Sequence, residues 1–448
     1  MRRTLIRGAR VVLPEAVTES SVLIEAGKIV SVDASGDTSA DEIIDADGLI
    51  LFPGLVDDQV HFREPGLTHK ETLATASAAC AAGGVTSFLE MPNTVPAATS
   101  VAAVEAKYQL AAASCVVNYG FYIGATPTNI EELRAAAGAN IPGIKIFIGS
   151  STGDLLVDAQ EPLERIFAET ELPICAHCED ETTIAVNKQR VGTPQSVHDH
   201  SRIRDVQAAV VATKRAVDLA IRHRHRFHVL HVSTADELEI IAAARPFVTA
   251  EVCPHHLFFS TDDYDALGTR IQMNPSVKAP KHQRPLWQAL QENVIQVVAT
   301  DHAPHTLEEK SAAYPKSPSG MPAVENYFAL LLDAAAAHGF NYNRIAAACC
   351  DAPARVWGLV GKGRIEVGYD ADLVLVDPQR VRTIEDSQQW TKCGWSAWHG
   401  REVRGWPVQT FVAGRSVYRL EPHDRRGRVD SSHRGQRLTC DFRRGGYW

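Results

Sequence analysis

Eight short apolar segments, each followed by a stretch with a helical pattern, run through the middle of this 448-residue chain. Such alternation is typical of βα units that build a parallel sheet. Eight units across roughly 250–300 residues match the size of a (β/α)8 TIM barrel. The predicted strands are 55–62, 85–90, 116–124, 143–148, 173–177, 227–231, 247–252 and 295–301. The helical candidates between them include 70–82, 100–112, 130–137, 204–223 and 284–292.

The two ends of the chain carry short strand patterns instead of βα units. Near the start the predicted strands are 5–12, 21–25, 28–32 and 42–44. After Trp357 they are 363–367, 372–376 and 409–412. Neither part is large enough to form its own core, so we expect the two to pair into one small β-sandwich domain beside the barrel. This divides the chain into a barrel of residues 54–356 and a β-sandwich built from residues 1–53 and 357–448.

Composition excludes several classes of protein. Hydrophobic residues at 45% and charged residues at 22% are ordinary for a globular chain with a large core. The net charge of −9 gives no attraction for nucleic acid or an anionic membrane surface, which favours a small-molecule substrate. We find neither a secretory signal pattern nor an apolar run that suits a membrane span. Nine scattered cysteines without a disulfide spacing indicate reduced thiols in a cytoplasmic protein.

Residues that bind metals or carry protons occur at the ends of the predicted barrel strands. Strands one, five, six and eight end at or next to His61, His177, His231 and Asp301, and strand four contains Lys145. The C-terminal ends of barrel strands face one another around the mouth, where active sites of this fold are found. A lone histidine in an apolar strand is more often structural, but this repeated placement indicates a shared site.

Imidazole and carboxylate groups are ligands that Zn2+ binds at about 2.0–2.2 Å, and a catalytic zinc site leaves one position for water. His177 and His231 would supply nitrogen, while Asp301 would supply oxygen and accept a proton from that water. Lys145 has two interpretations: an ammonium paired with a neighbouring acid, or a neutral amine that captures CO2 and bridges two metal ions as a carbamate. His228 lies on the opposite strand face and is expected to be structural.

The order of these motifs resembles that of one family, the dihydroorotases of the amidohydrolase superfamily. The resemblance covers almost the whole chain. It rests on the segments 58–66 (DQVHFREPG), 91–94 (MPNT), 143–145 (GIK), 176–177 (AH), 231–234 (HVST), 254–256 (PHH), 299–305 (ATDHAPH) and 363–373 (GRIEVGYDADL).

Carried over residue by residue, the resemblance implies a zinc site and a substrate pocket. The implied zinc ligands are His61, Lys145 as an N6-carboxylated residue, His177, His231 and Asp301, with Asp301 also the catalytic proton carrier. The implied substrate-binding residues are Arg63, Asn93, Asn274, His305 and the backbone at Gly320. A guanidinium recognises a carboxylate through two parallel hydrogen bonds, which supports a carboxylate-bearing substrate at Arg63.

The sequence departs from the family pattern at three positions. The usual first-strand motif is His-x-His, but in this sequence Gln59 replaces the first histidine of the motif. An amide oxygen is a weaker zinc ligand than imidazole, so we expect one or two zinc ions per chain and an altered metal site. Ser276 and Ala323 also depart from the more usual residues of their segments, without touching the implied carboxylate-binding set.

The function that the resemblance implies is reversible hydrolysis of dihydroorotate to N-carbamoyl-L-aspartate in pyrimidine biosynthesis. An alternative is an allantoinase or hydantoinase, whose substrates lack the ring carboxylate and would leave Arg63 and Asn93 without a partner. A third interpretation, suggested by Gln59, is a non-catalytic subunit that supports aspartate transcarbamoylase. A homo-oligomer is expected, and the tail that ends in Tyr447 and Trp448 is interpreted as solvated or subunit-contacting.

Overall fold

The computed structural model describes residues 2–149 and 153–443, so the predicted tail end at Tyr447 and Trp448 lies outside the described residues. The strands are β1 Arg3–Val12, β2 Val17–Glu25, β3 Lys28–Val32, β4 Glu42–Asp45, β5 Ile50–Pro53, β6 Leu55–Val60, β7 Val85–Glu90, β8 Asn118–Phe121, β9 Ile123–Gly124, β10 Ile144–Phe147, β11 Ile174–His177, β12 Phe227–Val229, β13 Val248–Val252, β14 Val297–Val298, β15 Leu373–Thr383, β16 Glu402–Val412, β17 Arg415–Arg419 and β18 Arg428–Val429.

The α-helices follow the predicted order. They are α1 Leu73–Gly83, α2 Val101–Ser114, α3 Ile130–Ala135, α4 Gln160–Glu169, α5 Glu181–Val191, α6 His198–Ile203, α7 Val206–His223, α8 Leu238–Ala243, α9 Pro254–Phe258, α10 Tyr264–Leu267, α11 Gln283–Gln291, α12 Leu307–Lys310, α13 Tyr327–Ala334, α14 Tyr342–Ala346 and α15 Ala352–Val356. None of the helices in the described residues combines the length and hydrophobicity that a membrane crossing requires.

Parallel strands form the predicted barrel. One sheet runs in the order β6-β7-β8 and the other in the order β9-β10-β11-β12-β13-β14. β8 and β9 are consecutive parts of one barrel strand, because only Tyr122 separates them and its N–H donates to Glu90 of β7 at 3.1 Å. A parallel bridge between Val60 and His302 links the end of β6 to the segment after β14. The eight predicted barrel strands are therefore confirmed, and helices cover their outer faces.

The strands of both chain ends share one sheet, in the order β18-β17-β16-β15-β5-β1-β2-β3, with β4 paired to β1. The predicted pairing of the two ends is confirmed, while the exact domain boundaries stay predictions. The strand predicted at 363–367 is wrong. Gly363 has a φ of +84°, and the Arg364 guanidinium is held by Asp351 at 2.6 Å in place of a neighbouring strand. β15 and β16 are longer than the strands predicted at 372–376 and 409–412.

The first helix begins later than its pattern suggests, at Leu73 rather than residue 70. The Thr72 hydroxyl accepts a hydrogen bond from Thr75 N–H, which fixes the N-terminus. Lys70 therefore lies outside the helix, in the loop between β6 and α1. Asp205 caps α7 in the same way by accepting from Ala208 N–H at 3.0 Å.

Candidate metal centre and substrate pocket

A single cavity of about 1300 Å³ opens at the C-terminal ends of the barrel strands, and we call it the mouth cavity. The structure brings all of the sequence-predicted site residues to its wall. They are Gln59, His61, Arg63, Asn93, Lys145, His177, His231, Asn274, Asp301, His305 and Gly320.

Two neutral imidazoles face each other on one side of the mouth cavity. Nδ1 of His177 and Nε2 of His231 are 3.0 Å apart, and His177 Nε2 lies 2.9 Å from the carboxylate of Glu179. The carboxylate accepts, so Nε2 of His177 carries the hydrogen and Nδ1 presents its lone pair to His231. Burial lowers the pKa of both histidines, which favours the neutral, metal-binding form. A histidine whose second nitrogen bonds a carboxylate is the usual arrangement of a metal ligand.

A second pair of donor atoms lies across the cavity. His61 Nδ1 donates to Asn93 Oδ1 at 2.7 Å, which leaves Nε2 without a hydrogen when the ring is neutral. This Nε2 is 3.0 Å from Oδ1 of Asp301, so two electron-pair donors face each other. Gln59 Nε2 donates to the same Asp301 oxygen at 3.2 Å. A cation between His61 and Asp301 would satisfy both atoms, so this donor set also fits a metal ion.

The two polar atoms of the Gln59 side chain have different contacts. Its nitrogen is occupied by Asp301, and its buried Oε1 has no hydrogen-bond partner among residues 2–149 and 153–443. An unpaired buried amide oxygen costs free energy of about 1–3 kcal/mol. The expected departure from a two-histidine site is therefore visible in the side-chain contacts.

Lys145 lies on β10 and lines the same cavity as the two pairs. The residue is 1% exposed, and its Nζ makes no hydrogen bond or ion pair within the described parts of the chain. Nζ lies 4.4 Å from the centre of the Phe147 ring. Burial lowers the pKa of Lys145. The alternative of a lysine paired with a neighbouring acid therefore has no partner here, and the geometry favours the neutral amine.

Arg63 places a buried positive charge on the cavity wall. It is 8% exposed, and its Nε donates to the carbonyl of Pro304 at 3.0 Å. No carboxylate of the described residues lies within 4.0 Å of its guanidinium. Burial lowers the pKa of Arg63 to about 10, so the group stays charged at neutral pH. A buried guanidinium without a carboxylate suits an anionic ligand.

The remaining predicted contacts are partly occupied by the protein itself. The N–H of Gly320 donates to the Gln272 carbonyl at 2.9 Å, so that N–H is not free for a ligand. Gly320 has a φ of +134°, and a Cβ there would approach the Ala303 oxygen to 2.4 Å. Asn274 Oδ1 lies 3.1 Å from His200 Nε2. Its amide nitrogen is the group left for a substrate.

Sequence reasoning missed Glu179 and Lys70. Glu179 lies two residues after His177. An acidic residue at that spacing from a predicted metal-binding histidine was the sequence signal for its hydrogen-bond partner. Its Oε2 also accepts from Arg204 at 2.6 Å. Lys70 sits in the segment that was predicted to be helical, which concealed its place on the cavity wall.

A separate cluster of residues whose side chains can bind metals lies inside the barrel. Atoms of Asp58, His228 and Glu251 fall within 4.8 Å of one another, and all three residues are buried. His228 Nδ1 is 2.7 Å from the Thr249 hydroxyl, and Nε2 is 3.1 Å from Glu251. These bonds satisfy a neutral imidazole, in line with the structural role expected of His228. Burial lowers the pKa of His228 to about 4.

The fold and site define a barrel enzyme with a candidate metal centre where the strands end. The chain belongs to the amidohydrolase family, whose profile matches residues 50–417. It is 37% identical over 398 residues to a dihydroorotase of Halobacterium salinarum, covering 86% of this chain and 91% of that relative. It is 32% identical to an allantoinase of Streptomyces avermitilis over 92% and 95% of the two chains. The predicted class, a hydrolase of cyclic amides, is confirmed.

A solved structure gives the same fold. The L-hydantoinase (dihydropyrimidinase) from Arthrobacter aurescens superposes with a TM-score of 0.93 at 28% identity, over 98% of this chain and 100% of that one. The predicted TIM barrel is thereby confirmed at the level of the whole fold.

Proposed function

We propose that this chain is a metal-dependent dihydroorotase that interconverts dihydroorotate and N-carbamoyl-L-aspartate in pyrimidine biosynthesis. The observation that carries the proposal is Arg63, a buried guanidinium without a carboxylate partner among the described residues, in the same cavity as His177 and His231. A cyclic amide with a ring carboxylate would place an anion at Arg63 and a carbonyl near the metal side. The dihydroorotases among the relatives support this choice.

The donor set suits zinc. His177, His231 and an N6-carboxylated Lys145 would hold one ion, with a second position at His61 and Asp301. A bound divalent cation supplies Lewis acidity toward the ring carbonyl and toward water. The neutral amine that is required for CO2 capture is the form that burial of Lys145 favours.

The protein's own residues provide proton transfer and orientation. Asp301 would accept a proton from the attacking water and deliver it to the ring nitrogen as the C–N bond breaks. Arg63 and the Asn93 amide nitrogen would hold the carboxylate so that the ring carbonyl is directed toward His177 and His231. The donors are fixed in a buried wall, which lowers the orientational cost of reaction.

Substrate comparison tests the proposal. We expect purified protein supplied with zinc and bicarbonate to hydrolyse dihydroorotate in preference to hydantoin, allantoin and dihydrouracil. The Arg63→Met variant should raise KM for dihydroorotate by about 10²-fold, because a buried charge partner is lost. Its effect on dihydrouracil, the same ring without a carboxylate, should be small. Preferential turnover of hydantoin or allantoin by the unaltered protein would overturn the proposal and favour the activity named for those relatives.

Metal content tests the consequence of Gln59. We expect about one tightly held ion per chain in the unaltered protein and about two in Gln59→His, because imidazole is the better zinc ligand. Elemental analysis after dialysis measures both. Gln59→Ala should stay at about one ion and serves as the control. Two ions in the unaltered protein would contradict this assignment, whereas none in any variant would favour the non-catalytic subunit.

The proposal also covers the oligomeric assembly and the cellular location of the enzyme. All nine cysteines are free thiols, which supports a cytoplasmic enzyme. A homo-oligomer and an association with aspartate transcarbamoylase are both consistent with a pyrimidine-synthesis role. Mass measurement of the protein alone and mixed with the transcarbamoylase tests the two together.

A further inference from the structure

Lys70 lies beside the substrate-binding side of the mouth cavity. Its side chain is 12% exposed and belongs to the cavity wall. Nζ is 3.0 Å from Nδ1 of His305 and 3.1 Å from Oε1 of Glu309. An ammonium group has three N–H donors, so these two partners leave one donor on Nζ.

The contacts of His305 fix which nitrogen carries its hydrogen. An ammonium only donates, so Nδ1 of His305 accepts from Lys70 and the hydrogen of the neutral ring is on Nε2. Nε2 then donates to the carbonyl of Ser319 at 3.0 Å. Burial and the nearby cations Arg63 and Lys70 lower the pKa of His305, which keeps the ring neutral.

This tautomer changes the meaning of the contact between His305 and Arg63. Nη2 of Arg63 is 3.3 Å from Nε2 of His305, but both atoms carry hydrogens, so the contact is not a hydrogen bond. Both ring nitrogens of His305 are thus occupied within the described structure, and the Nη2 donors of Arg63 are left for a ligand. His305 therefore lies between the cations Arg63 and Lys70 and has no free N–H to donate to a ligand.

The charge balance of this region is positive. We name Arg63, Lys70 and His305 the cationic corner. Glu309 pairs with Lys70 and compensates one positive charge, while Arg63 has no carboxylate within 4.0 Å in the described residues. The nearby Lys310 directs its Nζ to the carbonyls of Gln272 and Pro318. One anionic ligand would therefore complete the corner.

We propose that Lys70 determines specificity for a carboxylate-bearing cyclic amide, as the second cation of the corner, with His305 as the residue that positions it. The inference deepens the proposed dihydroorotase function and rests on it. Lys70 contributes a donor and a charge to the substrate carboxylate, while Arg63 supplies the main contact. His305 acts through Lys70 and is a positioning residue.

The test uses kinetics of the zinc-loaded enzyme. Lys70→Met should raise KM for dihydroorotate about tenfold or more with kcat changed less than about threefold, because a nearby charge is removed without disturbing the metal side. Lys70→Arg retains the charge and should recover most of the loss. Lys281→Met removes the same charge at an exposed position outside the cavity and should match the unaltered enzyme. An unchanged KM in Lys70→Met, or a loss confined to kcat, overturns the proposal.

Equilibrium binding separates this inference from the proposed function. In the Asp301→Asn background, calorimetry compares dihydroorotate with dihydrouracil, so turnover is not needed. If the protein binds dihydroorotate more tightly than dihydrouracil and Lys70→Met reduces this preference about tenfold, the role of the cationic corner is supported. This conclusion holds even if the unaltered protein hydrolyses neither ligand. Absence of hydrolysis would overturn only the proposed activity. An equal effect of Lys70→Met on both ligands indicates a general structural role and overturns the specificity role.

Discussion

Asp301→Asn should lower kcat for dihydroorotate hydrolysis by about 10³-fold, within the range for loss of a general acid–base group. Asparagine has nearly the same shape, and its oxygen still accepts from Gln59 Nε2, which lies 3.2 Å from Asp301 in the native protein. It can neither take a proton from water nor return one to the ring nitrogen. The loss should therefore appear in kcat more than in KM, as for an interaction made only in the transition state.

A matched variant distinguishes this chemical role from general loss of charge. Asp154 also lines the mouth cavity but is exposed. Asp154→Asn should change kcat by no more than about twofold, as for surface substitutions in general. The metal content and the Tm of both variants must be measured beside the rates. A retained kcat in metal-loaded Asp301→Asn would remove Asp301 from the proton-transfer role.

Lys145→Met should abolish measurable activity while raising the stability of the metal-free protein. The thioether is close in length to the lysine stem and can keep the packing against Phe147, where Nζ now lies 4.4 Å from the ring centre. Since burial already lowers the pKa of Lys145, replacing the amine removes a desolvated polar group. We expect a gain of about 1–2 kcal/mol in the free energy of unfolding without metal.

The same substitution removes the group that would capture CO2. Metal content should fall well below one ion per chain, and bicarbonate, which should activate the unaltered enzyme after decarboxylation at low pH, should have no effect on Lys145→Met. Denaturant titration, elemental analysis and the bicarbonate response provide three readouts. Full metal occupancy together with activity in Lys145→Met would exclude the carbamate, and lower stability of the metal-free variant would contradict the desolvation argument.

The strand predictions succeeded where burial alone decides the pattern. β7 matches its predicted bounds, 85–90, and all of its residues are buried, including the polar residues Thr86, Ser87 and Glu90. β12 and β14 are shorter than predicted, ending at Val229 and Val298. Two and three residues after these ends, His231 and Asp301 have φ values of +36° and +46°, so the chain has left the strand conformation where it presents these side chains. Backbone strain of this kind concentrates at functional sites.

The sequence alone determined the barrel, its strand order and the set of side chains at its mouth. Residue type, apolar period and position at a strand end are local properties, and (β/α)8 geometry converts them into a common location. The family resemblance added a proposed role for Arg63 and selected one of the two interpretations of Lys145, and both residues lie on the cavity wall.

Only the tertiary structure decided how those side chains are paired. Gln59 reaches Asp301 across 242 residues of chain, and Lys70 reaches His305 across 235. Such contacts depend on distances between separate loops and on which atom must donate, and neither is encoded in the spacing along the sequence. The same reason explains why the place of Lys70 became visible only in three dimensions: hydrogen-bond direction and local charge balance exist only after the loops have been brought together.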